Sequence, residues 1–421
     1  SPKNKCFKYI DDKFLVGKKD LKSDLYDSLV LVKRNVSEIS IPSFIKYIEQ
    51  YAFYSVKSIK NVYFPTNSNI QKIERFAFAY TSIQSISIPS TVTDICKCAF
   101  YECKELKKVV FHENSKLQKI EKYAFSNSSI ESIVIPSNVT IIGKYAFSEC
   151  RNLKKVEFNG NSNLRIIEQF AFQKCPFNEF TIPSSVVYIG DYAFFNCFFD
   201  TFNIDSASKL RFIGKRAFYY SGLSTISIPP LVEKICEGAF NDCIRLKSVY
   251  ISENSKLKIL EDMLFALSSI ESFEVPSSVI IIGNETFKGC KNLKNVEFPK
   301  DSKLQIIGEA AFCNSNIVNI TIPSSVTKIC DAAFENCIKL ENVNFSENSE
   351  LISIGKYAFA NADIKSINIP SHLKIISEYA LSVYNLEKVD IQDDSELKTI
   401  EKNAFSESEI KSFFIPEYLA D

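Results

Sequence analysis

Thirteen cysteines and two histidines are the residues of this 421-residue chain best suited to chemistry. The tightest group is Cys96, Cys98, Cys103 and His112, four donors of the kind that hold zinc. Their C-x-C-x4-C spacing is not that of a zinc knuckle, which pairs its ligands across short, regular gaps. Disulfides are the second chemistry, since an exported protein with an odd number of cysteines would pair all but one. Histidine-based acid–base catalysis has little raw material, because His112 and His372 are remote from each other in sequence. Metalloprotease, serine-hydrolase, phosphate-loop and dinucleotide motifs are all missing. Carboxylates are scattered singly and read as a solvated face. The chain is therefore expected to be no enzyme, with no cofactor and no metal.

The cysteines acquire another meaning once the elements carrying them are considered. Pro42, Pro89, Pro136, Pro183, Pro229, Pro276, Pro323, Pro370 and Pro416 are 46 or 47 residues apart throughout. Each interval holds two similar halves, marked by a small residue plus phenylalanine at positions such as Phe53, Phe78, Phe100, Phe125 and Phe147, with Leu381 standing in once. Steps of 22 alternate with steps of 24 or 25, giving 16 coils of two flavours. Such self-similarity is the signature of a solenoid. In every coil a run such as "SISI" at Ser85–Ile88 or "KVEF" at Lys155–Phe158 alternates with the period of a half-buried strand. Proline often follows, where a missing amide donor suits a strand's end. The downstream isoleucine, alanine, phenylalanine and cysteine or serine recur at spacings of three and four, which predicts a short helical or 3-10 segment.

A coil of this size cannot bury its apolar side alone, so the coils must stack with strands in parallel register. At about 4.8 Å per coil the stack becomes a curved rod roughly 75 Å long. Residues 1–36 read as an N-terminal cap, 37–416 as the solenoid and 417–421 as a C-terminal remnant. Cys103, Cys150, Cys175, Cys197, Cys243, Cys290 and Cys337 each lie three residues after the repeated phenylalanine, where alternate coils carry Thr81, Ser128, Ser221, Ser268, Ser315 and Ser408. That slot selects small size, so buried free thiols are expected. Cys150, Cys175 and Cys197 occupy consecutive coils and are the cysteines close enough for a bridge or two.

"IPSSVTKICDAAFENCIKLENVNF", from Ile322, resembles the BspA-like, or Treponema-type, leucine-rich repeat, and the match recurs over about Ile39 to Ile415. The resemblance implies an α/β solenoid, a right-handed leucine-rich-repeat rod with one short parallel strand per coil. It also implies a cell-surface or secreted protein of a mucosal bacterium or protist parasite that binds a host or matrix protein or glycan. Abundant lysine, asparagine and isoleucine resemble the protist branch. One departure is that the glycine of the I-G pair, present at Gly143, Gly190 and Gly283, is replaced by Cys96, Cys236 and Cys330.

Lys plus Arg and Asp plus Glu number 50 each, so no net field favours nucleic acid or an anionic membrane. No apolar run approaches the roughly 20 residues of a membrane helix. Partner binding then rests on outward strand positions, with Tyr63 and Tyr250 as anchors, Lys108, Lys155 and Glu157 as charged neighbours, and Glu274 and Glu297 as an acidic pair. A second stripe, Tyr51, Phe76, Tyr123, Tyr145, Phe170 and Tyr192, precedes the A-F pair in the earlier coils. It reads either as a shield over the phenylalanines or as a docking face for a host protein or a second copy of the chain. Sequons at Asn35, Asn127, Asn138, Asn284, Asn319 and Asn344 are candidate glycan sites. Self-association as a scaffold, or a cytoplasmic protein-interaction role, is the alternative function.

Overall fold

Regular structure in the computed structural model, which describes residues 6–414, is entirely β. The chain divides into two compact units, residues 1–210 and 211–421. Both are parallel-strand solenoids, and the chain completes about 17 turns in all. Each turn contributes two strands, where one was expected. The longer strand is three or four residues, as in Ser85–Ile88, which lies in parallel register with Lys108–Phe111. A two-residue strand follows, as in Asp94–Ile95 beside Lys119–Ile120. The second strand exists because the isoleucine of the V-T-x-I segment is buried while the residue before it pairs with its counterpart in the next turn. The C-terminal remnant at 417–421 lies outside the described residues.

Alternation along the longer strands sorts side chains without exception into core and surface over much of the first unit. Ser85, Lys108, Ser132 and Lys155 are exposed, as are Ser87, Val110, Val134 and Glu157, while Ile86, Val109, Ile133 and Val156 between them are buried. Proline closes the strand and its carbonyl starts the next turn: Val92 N–H donates to Pro89 O, and Val139 N–H to Pro136 O, both at 3.1 Å. At the front of the first unit, Phe7–Ile10 pairs antiparallel with Phe14–Gly17, which pairs antiparallel with Ser28–Val32. Ser28–Val32 then pairs parallel with Tyr47–Ile48. The first edge of the sheet of two-residue strands is thus covered by a hairpin, which removes an open template for strand addition there.

The predicted helical and 3-10 segments do not form among the described residues; the A-F stretch is a chain of turns. Its amides explain why. Ala77, Ala79 and Thr81 donate three residues back, to Glu74, Phe76 and Phe78 carbonyls, whereas Phe78 and Tyr80 donate to Ala99 and Tyr101 of the next coil. Alternate N–H groups therefore point along the stack, and a helix would withdraw them all into its own axis. Two residues in nearly every coil take positive φ to permit this, for example Tyr145 at 57° and Glu149 at 60°. Left-handed backbone costs a non-glycine residue roughly 1–2 kcal/mol, offset here by the cross-coil bonds. Spacings of three and four in the sequence reflect this turn geometry and not helical periodicity.

Those shared amides set the pitch, and the phenylalanines fill it. In the first unit, Phe53, Phe78, Phe100, Phe125, Phe147, Phe172 and Phe194 stack with ring centroids 4.5–5.5 Å apart. In the second, Phe218, Phe240, Phe265, Phe287, Phe312, Phe334 and Phe359 repeat the arrangement at 5.1–5.6 Å. All are inaccessible to solvent. Offset stacking contributes beyond area burial, and the alanine before most of the rings lets neighbouring backbones approach, with Leu264 and Thr286 in its place before Phe265 and Phe287. Approach is tightest at the I-G glycine: a Cβ on Gly190 would sit 2.7 Å from Gln169 N.

Two substitutions test this packing. Phe334→Ala is expected to cost on the order of 3–5 kcal/mol, read as a lowered urea midpoint. Gly190→Ala is expected to cost about 1–3 kcal/mol through overpacking against backbone, and an unchanged melting temperature would show that the coils there can separate.

Candidate binding surface

The slot cysteines resolve first, because they are the chain's largest reserve of reactive groups. All thirteen cysteines are free thiols. Those of the slot donate to the phenylalanine carbonyl of the preceding coil: Cys103 Sγ to Phe78 O, Cys150 to Phe125 O and Cys337 to Phe312 O lie at 3.1, 3.2 and 3.1 Å. Consecutive-coil Cys175 and Cys197 do the same, to Phe147 O and Phe172 O. The hydroxyl of the alternate coil sits beside the sulfur, as Ser128 Oγ does 3.3 Å from Cys150 Sγ. The slot thus asks for a small side chain and a hydrogen-bond donor. Burial pushes the Cys103 and Cys337 thiols up to about 12 and Cys150 to about 11, and drives Cys175 and Cys197 upward too. A protonated, enclosed thiol is neither nucleophile nor metal ligand. Among the described residues no cluster of His, Cys, Asp and Glu is arranged to hold an ion, and His112 is exposed, away from the buried Cys103.

On the surface, the longer strands present their polar face. Tyr63 and Tyr250 are 50% and 62% exposed, large aromatic areas held on rigid backbone. Tyr250, Glu274 and Glu297 come together with Glu253 and Asp301 along an open groove of about 600 Å³. Glu274 and Glu297 are direct register partners, and like charges facing across strands repel. Lys155 and Glu157 line another groove, of about 880 Å³, but pair with each other at 2.5 Å. Lys108 stands in register with Ser85 and Ser132, neither of them a charged partner.

The aromatic stripe is real, and its faces are occupied. Tyr123, Tyr145, Phe170 and Tyr192 stack at 4.7–4.8 Å, half-buried. Tyr51 stacks on Phe76 at 5.5 Å. Lys122 and Lys144 lie over the Tyr123 and Tyr145 rings, so within that run ring faces meet other rings or cations, whereas Tyr51 remains 45% exposed. Tyr357 and Tyr379 form a matching stack in the second unit at 5.0 Å, a pair the sequence reading passed over.

Of the sequons, Asn138 spends its Nδ2 on Ser115 O at 2.8 Å, and Thr286 of the Asn284 sequon is buried with its hydroxyl on Gly283 O. Asn319 accepts from Asn342 through Oδ1. Asn35 and Asn344 are exposed and Asn127 half-buried at positive φ. One further surface went unread: an open groove in the first unit lined by Lys116, Gln118, Asn138, Asn163, Arg165 and Lys209 among others. Its only signal in the sequence is that the S-x-L step of the longer coils carries Lys116, Asn163 and Lys209 at equivalent places.

Stacked two-strand turns with a buried aromatic spine and a polar strand face define a leucine-rich-repeat solenoid. The family model of the BspA type leucine rich repeat region matches six times, over residues 28–154, 71–201, 140–265, 211–333, 258–353 and 305–421; the chain belongs to that family. Its fold is similar to that of a leucine-rich repeat protein from Bacteroides ovatus, with 20% identity, a TM-score of 0.60, and 95% of this chain and 90% of that one covered. The pneumococcal vaccine antigen PcpA is 18% identical over 92% of this chain and 99% of that one, at a TM-score of 0.47. A leucine rich cell surface protein from Faecalibacterium prausnitzii is 22% identical, covering 92% of each chain, at 0.42. No curated protein matches. Among the described residues no helix is long and apolar enough to cross a membrane.

The thiols supply a pH prediction. The ordinary cysteine value is 9.0 and the folded ones lie near 11–12, so unfolded chains lose protons first as pH rises. Stability is full below about pH 9 and falls toward pH 11–12. The melting temperature is expected to drop more from pH 8 to pH 10 in the wild type than in a Cys150→Ser, Cys337→Ser variant; equal drops would remove the thiols from the account.

Proposed function

We propose that this chain is a non-catalytic binding protein of a cell surface, using the polar face of its longer strands to hold a protein or glycan of a host or matrix. The observation that carries this reading is the pairing of an inert interior with large exposed side chains on rigid strands, above all Tyr250 beside the acidic groove of Glu274 and Glu297. Register repulsion between those two glutamates is relieved by a partner that brings cationic or hydrogen-bond-donating groups to them. Rigid tyrosines contribute interface area at small entropic cost. Family membership supports a binding role, and the surface location follows the expectation drawn from the repeat itself. The lysine-, asparagine- and isoleucine-rich composition supports a protist parasite as source. Glycans at Asn319 or Asn344 would cover part of the same face.

Biosensor measurements against immobilised purified matrix proteins and glycans test the reading. Tyr250→Ser with Glu274→Gln is expected to weaken the bound partner on the order of tenfold or more while the melting temperature holds. Binding that is indifferent to these changes and to Tyr63→Ser removes the strand face as the site. Sedimentation velocity addresses the scaffold alternative: a concentration-dependent increase in mass favours self-association, and a constant monomer counts against it.

A further inference from the structure

We infer that the groove lined by Lys116, Gln118, Asn138, Asn163, Arg165 and Lys209 binds a linear anionic polysaccharide, one that carries a carboxylate or sulfate on alternate sugars. This rests on the reading of the chain as a binding protein and assigns a ligand class to a second surface of it.

The groove is open, about 810 Å³, and runs along successive turns of the first unit. Its floor is backbone already committed to bonding. Gln118 N–H donates to Thr93 O, Thr140 to Gln118 O, Arg165 to Thr140 O and Val187 to Arg165 O, at 2.9–3.2 Å. Lys116, Asn163 and Lys209 are tied in the same way to Ser90, Ser137 and Ser184 carbonyls, each at 2.9 Å. Side chains rising from this ladder therefore have a set spacing. Lys116, the Asn163–Arg165 segment and Lys209 stand two coils apart, about 10 Å per step. That is the scale of a disaccharide repeat, so one acid group per two sugars falls against each cation in turn.

Charge and hydrogen-bonding capacity agree with that occupant. Among the described residues no carboxylate lines the groove, the Asp94 carboxylate at its edge accepts from the Thr93 hydroxyl, and none of Lys116, Arg165 and Lys209 joins an ion pair, so their charges are left uncompensated within the groove. In a chain with 50 basic and 50 acidic residues, this is a local positive field. Arg165 presents the planar fork that matches carboxylate and sulfate. The side-chain amides of Gln118 and Asn163 make no bond within the chain and offer both donors and acceptors, the complement of sugar hydroxyls. Other polyanions fit less well. No aromatic ring lines the groove, so bases find no stacking platform. Val187 is its one aliphatic side chain, and its backbone has no free strand edge for a peptide to extend. Asn138, whose Nδ2 is held by Ser115 O, keeps its own sequon from filling the groove in the folded protein.

Calorimetric titration of the intact chain with a hyaluronan decasaccharide and with chondroitin sulfate tests the site, with dextran, oligo-dT and poly-glutamate as comparators. Binding to a charged glycan is expected, weakening with added salt and absent for dextran. Arg165→Ala and Lys209→Ala should each lower affinity on the order of tenfold, with the melting temperature unchanged because both side chains are exposed. Equal affinity for oligo-dT or poly-glutamate, indifference to both substitutions, or no glycan binding would each overturn the assignment. Retained partner binding through Tyr250 alongside glycan failure would sink this inference alone; loss of both would sink the broader reading with it.

Discussion

Sharing of backbone amides between neighbouring coils is the constraint on which the structure depends. Phe78 cannot satisfy its N–H locally; it reaches Ala99 O of the next turn, while Ala99 satisfies its own N–H three residues back. A buried amide without a partner is costly, so each coil is completed by the one after it. The pitch that results brings the spine rings to about 5 Å, a stacking distance. It also favours alanine beside most of the rings, and glycine at Gly190, where a Cβ would meet the Gln169 backbone. Sulfur enters for the same reason: the Phe125 carbonyl has a second acceptor site, which Cys150 fills from the neighbouring coil.

Such an interior withdraws its slot thiols from reaction chemistry. Groups that would be nucleophiles elsewhere are donors to a fixed carbonyl, held protonated by burial. In the proposed reading, function resides in what varies from coil to coil on the surface. Repetition supplies a regular array of outward positions, and the departures from regularity are the features on which the proposed sites rest: two glutamates in register beside Tyr250, or three cations in a groove that no carboxylate lines. The aromatic stripe shows the opposite case, a prominent pattern whose ring faces are consumed by stacking and by Lys122 and Lys144.

Much of this was legible in the residues. The proline beat, the phenylalanine spine, the inward slot of Cys103 and Ser128, and the exposure of Tyr63 and Tyr250 all follow from period-2 and coil-length regularities that a one-dimensional reading captures. The turn segment was misread because isoleucine, alanine, phenylalanine and cysteine at spacings of three and four look helical; only the destination of each N–H separates a helix from a series of turns. The two-residue strands were missed since a pair of residues carries no periodicity of its own. Lys116, Arg165 and Lys209 escaped notice because they are far apart in the chain, and their common groove is made by stacking.

What the sequence by itself determined is which side chains face inward and how often the pattern recurs, because alternation and repeat length are local properties of the chain. The tertiary structure alone decided which carbonyl each amide finds, and which charges of separate coils become neighbours. The physical reason is that both are bonds or fields between turns some 22 to 25 residues apart, and distances of that kind are fixed only when the turns are laid on one another.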